Sequence, residues 1–269
     1  MGSAAVKAGL RKGPGRAYWD GVADQVGGYY LIPILAEYKS QEYTGLLEEW
    51  GIGDDKSVLI TDLYEAAFGN TGIYGYLSGP ANEVWGMDIS AKFCFRAGEH
   101  FKRQDLDIGI ISGDAAMIPL SNDIVDVIIS PSTFDHFPEI DRALSECHRI
   151  LKPGGKLVLA LNSADNPFFK PGVRLAERFK KHEYQTDYFY SLRQTARLLE
   201  QAGFAVGRST AIMHVPIGLT TLIEFFDRID NPVADRINGL MIGACRKWGR
   251  LDTRMKLFTG WWVAVEGIK

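Results

Sequence analysis

The stretch that decides the fold is VDVIISPSTFDHFPEIDRALSECHRILKPGGKLVLAL, residues 125–161. It begins and ends with short apolar runs of the kind that form buried strands. Between these runs, apolar residues recur at steps of three and four, as on one face of a helix: Ile140, Ala143, Leu144, Cys147, Ile150 and Leu151. The helical pattern stops at Lys152-Pro153-Gly154-Gly155, because Pro cannot continue a helix and Gly turns the chain. The stretch therefore predicts a strand, a helix and a second strand in succession.

The rest of the chain repeats this alternation of β-rich runs and longer helical patterns. A further helix begins at Ser191, where Gln194 completes a capping box. We predict seven strands, at residues 57–61, 83–87, 108–112, 125–130, 156–161, 205–213 and 261–267. Such alternation is typical of an α/β fold built around a mostly parallel sheet.

Composition narrows the class of protein. The chain has 269 residues, with 30 Lys and Arg against 33 Asp and Glu, which gives a net charge of −3. Hydrophobic residues make up 46 % and charged residues 23 %, as in soluble globular proteins. These values exclude a disordered chain and a disulfide-rich miniprotein. The slight acidity argues against a nucleic-acid partner, which would need a basic surface to neutralise phosphates.

Membrane and compartment signals are weak. No apolar run approaches the roughly 20 residues that cross a bilayer, so no transmembrane segment is predicted. Residues 1–10 lack the apolar core of a secretory signal. The three cysteines are widely spaced, which indicates buried thiols in a reducing compartment, without a zinc site. We therefore expect a cytoplasmic protein.

Acidic residues follow three successive predicted strands. Asp62 follows the first, Asp88 ends the second and Asp114 follows the third. In an open α/β sheet, ligands bind beyond the carboxyl ends of the strands, where the strand order reverses. Carboxylates at that edge can accept hydrogen bonds from hydroxyl, amino or ammonium groups.

Several motifs together resemble one family. They are Trp85-Gly86-Met87-Asp88-Ile89-Ser90, the run from Gly113 to Leu120, the strand Val125-Asp126-Val127-Ile128-Ile129-Ser130, and the helix ending in Leu151-Lys152-Pro153-Gly154-Gly155. In this order they resemble class I S-adenosylmethionine-dependent methyltransferases, and most closely the group that includes ubiquinone/menaquinone-biosynthesis methyltransferases. The resemblance implies a Rossmann-like, doubly wound α/β fold whose seven-stranded, mostly parallel sheet has an antiparallel last strand. It also implies S-adenosyl-L-methionine as the cofactor.

The resemblance assigns residues to the cofactor. Asp88, with Ile89 beside it, would hold the ribose hydroxyls, although Asp88 also suits a helix N-cap. Asp114 would accept a hydrogen bond from the adenine amino group, with Gly113, Ala115 and the side chain of Met117 or Ile118 around the adenine. An ordinary turn aspartate is the alternative for Asp114. Residues 130–134, including Ser130 and Ser132, would run under the methionine part of the cofactor.

The first motif departs from the family pattern. The family has a Gly-x-Gly-x-Gly loop after the first strand, whereas this chain has Thr61-Asp62-Leu63-Tyr64-Glu65-Ala66-Ala67-Phe68-Gly69. We favour a loop rebuilt around Asp62, whose carboxylate could meet the ammonium group of the cofactor. The alternative is that cofactor binding is weakened or lost. No dinucleotide-binding glycine pattern follows the first strand either, which disfavours a nicotinamide enzyme.

His136 is the best-placed candidate base, because it follows the fourth strand and an imidazole can take a proton near neutral pH. Asp135 is the reserve, and a role for His136 in bracing the loop is the alternative. His182 is a candidate for the substrate pocket. The histidines form no metal-ligand spacing, so no metal site is predicted.

The remaining segments predict accessory parts and partners. We divide the chain into a helical N-terminal lid, residues 1–50, and a methyltransferase domain, residues 51–269, with a helical insertion at 215–259. Basic residues of the insertion could attract an anionic substrate or a membrane surface, but a solvated helix face is the more common meaning. Phe225, Phe226 and Trp248 could roof a substrate or pack the inserted helices.

We predict a methyltransferase that acts on a small hydrophobic molecule, with the accepting atom unassigned. A non-catalytic methyltransferase-like binding protein and another S-adenosylmethionine-dependent reaction on the same fold are the alternatives. A peripheral membrane contact stays open as the less favoured alternative, and so does a homodimer.

Overall fold

A computed structural model of the chain describes residues 15–53, 56–79, 81–136, 139–179 and 188–269. Its helices are α1 Arg16–Gln25, α2 Pro33–Glu49, α3 Gly72–Leu77, α4 Ala91–Arg103, α5 Ile140–Ile150, α6 Phe169–Phe179, α7 Leu192–Gln201, α8 Ile217–Asp227 and α9 Pro232–Gly249. Its strands are β1 Ser57–Ile60, β2 Glu83–Asp88, β3 Gly109–Ser112, β4 Val125–Pro131, β5 Leu151–Asn162, β6 Ala205–Ile212 and β7 Trp262–Ile268. Short 3₁₀ turns lie at Ala66–Phe68, Phe134–His136 and Arg254–Phe258.

The seven strands form one sheet in the order β3-β2-β1-β4-β5-β7-β6. Strands β1 to β5 pair in parallel, and β7 pairs antiparallel with both β5 and β6. The predicted doubly wound α/β fold with an antiparallel last strand is therefore confirmed. The strand order reverses between β1 and β4, which places a crevice at their carboxyl ends.

Successive strand residues face opposite layers, as the pleat of a strand requires. In β1, Val58 and Ile60 pack in the core with α2, α3 and α4, while Leu59 packs in the core with α5. The apolar stripe predicted for α5 is buried, and Cys147 at its centre is completely covered. The sheet is thus covered on both faces, and its ends are left to carry polar residues.

The Pro-Gly-Gly signal ends α5 as predicted, but β5 begins earlier than the sequence indicates. Leu151 already pairs with Val125, and the ladder then skips to the pair Lys156 and Val127. Gly154 adopts a left-handed φ of 79° inside this irregularity, a conformation that Gly adopts easily. A bulge therefore joins the last turn of α5 directly to the strand.

Two helical additions flank the sheet. Helix α1 is tied to the first turn of α4, because the Ser90 hydroxyl donates to Asp20 Oδ1 over 2.6 Å and accepts from Phe93 N. Helices α8 and α9 lie between β6 and β7. None of the helices in the described part is long and apolar enough to cross a bilayer.

Candidate functional site

A cavity of about 280 Å³ lies at the carboxyl ends of β1, β2 and β4, where the strand order reverses. Thr61, Asp88 and Thr133 line it from the ends of these three strands. Helices α1, α2 and α8 close it through Trp19, Lys39 and Ile217 respectively. One end of the cavity therefore belongs to the sheet edge and the other to the helical additions.

Asp88 lies at the sheet end of the cavity. Its Oδ1 accepts from Ser90 N over 2.8 Å and its Oδ2 accepts from Leu63 N over 3.2 Å. Burial raises the pKa of Asp88 to about 6, against the lowering effect of these backbone hydrogen bonds. The carboxyl group is therefore mostly ionised at pH 7. It lines the cavity, where its oxygens can accept hydrogen bonds from hydroxyl donors. Since Ser90 caps α4, the capping alternative for Asp88 is not needed.

Asp62 lies on the neighbouring wall, in the loop after β1. Its Oδ1 accepts from Tyr64 N over 2.6 Å, and its main-chain oxygen accepts from the Tyr74 hydroxyl. Burial, then the nearby Asp88 and Glu65 carboxylates, raise the pKa of Asp62 well above its ordinary value. A cationic ligand group would offset this repulsion, so Asp62 fits the ammonium partner that the sequence predicts.

The loop after β1 keeps a cavity despite its large side chains. Leu63 is fully buried and packs over Gly86, where an added Cβ would lie only 2.4 Å from its Cδ2. Tyr64 and Glu65 line the cavity rather than fill it, and the turn ends at Gly69 with a φ of 87°. The loop after β1 therefore leaves room for a ligand beside Asp62, and whether a cofactor binds there stays a prediction.

The loop after β3 contributes less than predicted. Gly113 and Ala115 line the cavity, as does Ile89 after β2. The Asp114 carboxylate instead accepts from Ala116 N over 2.9 Å and is not among the lining groups. The structure lends no support to the predicted place of Met117 beside the adenine, because its side chain is 76 % exposed and is not among the lining residues.

The end of β4 shows a similar correction. Ser130 is completely buried and does not line the cavity, because successive strand residues face opposite sides. Ser132 and Thr133 do line it. Ser132 has a φ of 62°, a strained value for a residue other than Gly. Its hydroxyl donates to Asp135 Oδ2 over 2.6 Å, which holds this turn.

The two candidate catalytic residues occupy different positions. His136 lines the cavity, and its ring meets the Trp19 ring edge-to-face at 5.3 Å. Asp135 is fully buried outside the cavity lining, and its Oδ2 also accepts from Asn162 N over 3.0 Å. Its Oδ1 lies 3.8 Å from His136 Nε2. His136 can therefore meet a ligand directly, whereas Asp135 supports the loop and faces the imidazole.

Sequence reasoning missed a buried ion pair in the cavity wall. Lys39 of α2 is 4 % exposed and pairs with Glu65. Its ammonium donates to Tyr30 Oη over 3.1 Å and lies 4.7 Å from the Trp262 ring centroid. Burial alone would lower the pKa of Lys39, but the Glu65 carboxylate outweighs this effect and raises that pKa well above its ordinary value.

A sequence signal for this lysine exists. Lys39 stands four residues after Leu35 and four before Tyr43, on the buried stripe of α2. Lys is almost never buried without a partner, so a lysine at such a position indicates an acidic group nearby.

The far end of the cavity is apolar and aromatic. Its lining includes Leu31, Leu35, Phe169, Val173, Ile217, Trp261 and Trp262. The Phe169 and Trp261 rings stack with centroids 5.4 Å apart. Phe225 is 58 % exposed and is absent from this lining, so it does not roof the cavity as one alternative predicted. The face of α8 with Thr220 and Glu224 takes that place.

Two predictions concern other residues. His182 lies outside the described residues. Within the described part of the chain, no group of three His, Cys, Asp or Glu residues is arranged to hold a metal ion. All three cysteines are free and buried.

Comparison with known sequences gives one domain match and many partial relatives. Residues 64–159 match the methyltransferase domain family. Demethylmenaquinone methyltransferase of Lactiplantibacillus plantarum is 30 % identical over 141 residues, which are 45 % of this chain and 60 % of that protein. Malonyl-(acyl-carrier protein) O-methyltransferase of Methylococcus capsulatus is 36 % identical over 81 residues, or 30 % of this chain and 29 % of that protein. The chain thus spans less than two thirds of the length of these curated relatives.

Comparison with solved structures supports the fold. An S-adenosylmethionine-dependent methyltransferase from Aquifex aeolicus aligns with a TM-score of 0.51 at 21 % identity, covering 62 % of this chain and 82 % of that one. A second such methyltransferase, from Thermotoga maritima, aligns with a TM-score of 0.57 at 16 % identity, covering 87 % and 91 %. At these identities the likeness establishes a shared architecture.

Proposed function

We propose that the chain is a class I S-adenosylmethionine-dependent methyltransferase that transfers a methyl group to a small, apolar molecule. The match of residues 64–159 to the methyltransferase domain family supports this proposal. One observation carries the proposal. A single cavity joins the buried carboxylates Asp62 and Asp88 at the sheet edge to an apolar, aromatic end beneath the helical additions. The first end suits a donor with hydroxyl and cationic groups, and the second suits an apolar acceptor.

The residues at the sheet end fit the cofactor of the family, S-adenosylmethionine, whose sulfonium supplies an electrophilic methyl group. Asp88 would accept from the ribose hydroxyls, and Asp62 would pair with the ammonium group. Ile89, Gly113 and Ala115 would flank the adenine. We retain Asp114 at the rim, as a partner for the adenine amino group, and Ser132 under the methionine part. The carboxylate positions and the lining support these assignments.

The helical end would orient the acceptor and exclude water. Trp19, Leu35 and Trp262 present apolar surface there. An acceptor hydroxyl would donate its proton to His136, because a neutral hydroxyl is a weak nucleophile. An amine acceptor would attack in its neutral form, so a protonated amine would first have to release a proton to His136 or to water. The Lactiplantibacillus plantarum relative is named a demethylmenaquinone methyltransferase, and a proposed apolar acceptor for this chain agrees with that name.

Calorimetry tests the proposal directly. S-adenosylhomocysteine should bind to the wild-type protein. Asp88→Ala should weaken that binding by about tenfold or more, because hydrogen bonds to a charged group contribute about 1.5–3 kcal/mol. The exposed Asp107→Ala is the matched control and should bind as wild type. Binding by Asp88→Ala within a factor of two of wild type would refute the ribose assignment.

A second candidate function has its own supporting observation. Tyr64 and Glu65 line the cavity where the family has bare glycine backbone, which favours a binding protein that does not transfer methyl groups. Absence of calorimetric heat with both S-adenosylmethionine and S-adenosylhomocysteine would favour that candidate. If the cofactor binds, accumulation of S-adenosylhomocysteine during turnover would indicate methyl transfer, and turnover without it would indicate another reaction on this fold.

We further propose that the protein acts in the cytoplasm without nucleic acid. The three free, buried thiols fit a reducing compartment, and the net charge of −3 disfavours binding to phosphates. Thiol labelling under denaturing conditions should find three reactive groups in protein purified without reductant.

A further inference from the structure

Helix α9 has a buried face and an outward face. Ala234, Ile242 and Cys245 are buried on the inner face. On the outer face Val233 is 61 % exposed and Leu240, seven residues later, is 75 % exposed. Residues that are three, four or seven apart share one face of a helix, which places the exposed Arg236 and Lys247 beside Leu240. The outer face therefore mixes apolar and basic side chains.

The mixed pattern continues beyond the end of α9. Leu251, Met255 and Phe258 are each at least half exposed. Arg250 and Arg254, next to them in the chain, are exposed as well. From residue 246 to residue 258 there are five Lys and Arg against one Asp. A short surface segment thus combines large apolar side chains with a local positive charge.

The neighbouring helix α8 connects this surface to the cavity. Ile217, Thr220 and Glu224 face the cavity, whereas Leu222 and Phe225 are 44 % and 58 % exposed on the other side of the helix. One helix therefore separates the apolar end of the cavity from an apolar outer surface.

The concentration of exposed apolar residues is local. Of the 17 large apolar side chains that are exposed in the described part of the chain, eight lie between residues 217 and 258. Single exposed apolar residues are ordinary, but a clustered set marks an interaction surface. We name this surface, formed by the exposed side chains of residues 222–258, the apolar–basic face. It also carries four exposed aspartates, at positions 227, 230, 235 and 252, so its excess of positive charge lies in the segment 246–258.

We propose that the apolar–basic face docks on an anionic lipid surface. Large apolar side chains insert at the boundary between headgroups and acyl chains, and Lys and Arg beside them pair with anionic headgroups. Two copies that docked through this face about a twofold axis would bring the same positive segment against itself, which makes a second copy of this chain the less suitable occupant. Docking there would place the cavity, behind α8, next to the phase in which an apolar acceptor dissolves.

Vesicle co-sedimentation of the full chain tests the proposal. The probes are vesicles of phosphatidylcholine alone and vesicles in which about a third of the lipid is phosphatidylglycerol. We expect binding to the anionic vesicles to be at least about tenfold tighter, and to weaken strongly at 1 M salt because the Debye length falls to about 3 Å. Equal binding to both vesicles, or no binding to either, would overturn the proposal.

Two variants separate the contributions. Leu251→Glu with Met255→Glu should reduce binding to anionic vesicles by about tenfold or more, because charge replaces inserted apolar surface. Arg250→Gln with Arg254→Gln should reduce binding to anionic vesicles only. Phe95→Glu is the matched control, since Phe95 is 70 % exposed on α4, outside the apolar–basic face. Two outcomes would contradict the assignment of this face: every variant binds the anionic vesicles as wild type does, or Phe95→Glu loses as much binding as the two double variants.

Light scattering and calorimetry complete the test. If wild type is a dimer in solution and Leu251→Glu with Met255→Glu makes it a monomer, the face binds a second copy and the lipid proposal is wrong. S-adenosylhomocysteine binding by the double variant should equal that of wild type, which shows that the fold is intact. The lipid proposal and the proposed function can therefore fail separately.

Discussion

The loop after β1 and the loop after β2 border the same cavity with different chemistry. After β2, Asp88 is held by two backbone N–H groups and Ser90 caps the next helix. After β1, large side chains replace bare backbone, and Glu65 pairs with Lys39 of α2. The comparison shows that the strand order determines where a ligand site lies. The wall of that site can still be built from large side chains, and a charged one such as Glu65 then needs an ion-pair partner.

The largest expected effect concerns the rebuilt wall. Lys39→Met should destabilise the protein by about 3–5 kcal/mol, because removing one partner of a buried ion pair leaves an uncompensated charge. Urea unfolding measures the change, and the exposed Lys102→Met, which loses only a pair with Glu99, should cost less than about 1 kcal/mol.

A second variant sharpens this result. Adding Glu65→Gln to Lys39→Met should recover part of the lost stability, since the buried carboxylate is then neutral. A loss below about 1 kcal/mol in Lys39→Met would show that the pair does not hold the wall.

The next effect concerns Asp88 in the loop after β2 and the response of its carboxyl group to pH. The pKa of Asp88 is raised to about 6, so between about pH 4 and pH 6 the folded protein binds more protons at this group than the unfolded chain. Stability from Asp88 is therefore present at low pH and is lost as pH rises through 6. Relative to Asp88→Asn, wild type should lose about 2–3 kcal/mol between pH 4 and pH 7.

The same group predicts the opposite trend for binding. Affinity for S-adenosylhomocysteine should rise as pH increases through about 6, because the carboxylate is the form that accepts hydrogen bonds. Urea titrations and calorimetry at several pH values measure the two trends. A stability difference between wild type and Asp88→Asn that is constant with pH would show that folding does not raise the pKa of Asp88.

The smallest expected effect compares the two loops directly. Asp62→Asn should weaken S-adenosylhomocysteine binding by about tenfold, which corresponds to about 1.4 kcal/mol, since one charged partner of the ammonium group is lost. Calorimetry measures the change against Asp107→Ala. Affinity equal to wild type would mean that the rebuilt loop only shapes the cavity and does not bind the ligand.

Local sequence signals predict the sheet and one wall of the site well. The Pro-Gly-Gly stop after α5 and the capping box of Ser191 and Gln194 are decided by neighbouring residues, and the structure shows both. The fold class follows from the order of such elements, because handedness and layer packing leave few arrangements.

Side-chain direction and long-range pairing were harder to predict. Ser130 faces the interior because of its place in the pleat of β4, and Met117 faces solvent because its turn closes through Asp114. Lys39 and Glu65 lie 26 residues apart, and no local pattern joins them. Contacts of this kind depend on how α2 docks, which the sequence of either segment alone does not specify.

The bond between Asp20 and Ser90 has a consequence for ligand entry. Ser90 N donates to Asp88, and the Ser90 hydroxyl donates to Asp20 of α1, so a single serine joins the cavity-lining carboxylate of Asp88 to the N-terminal helix. Undocking α1 would remove an acceptor from that serine and uncover the cavity at Trp19 in one step. Binding of a ligand to Asp88 is then thermodynamically linked to the docking of α1. By reciprocity, a docked α1 strengthens ligand binding by the same factor.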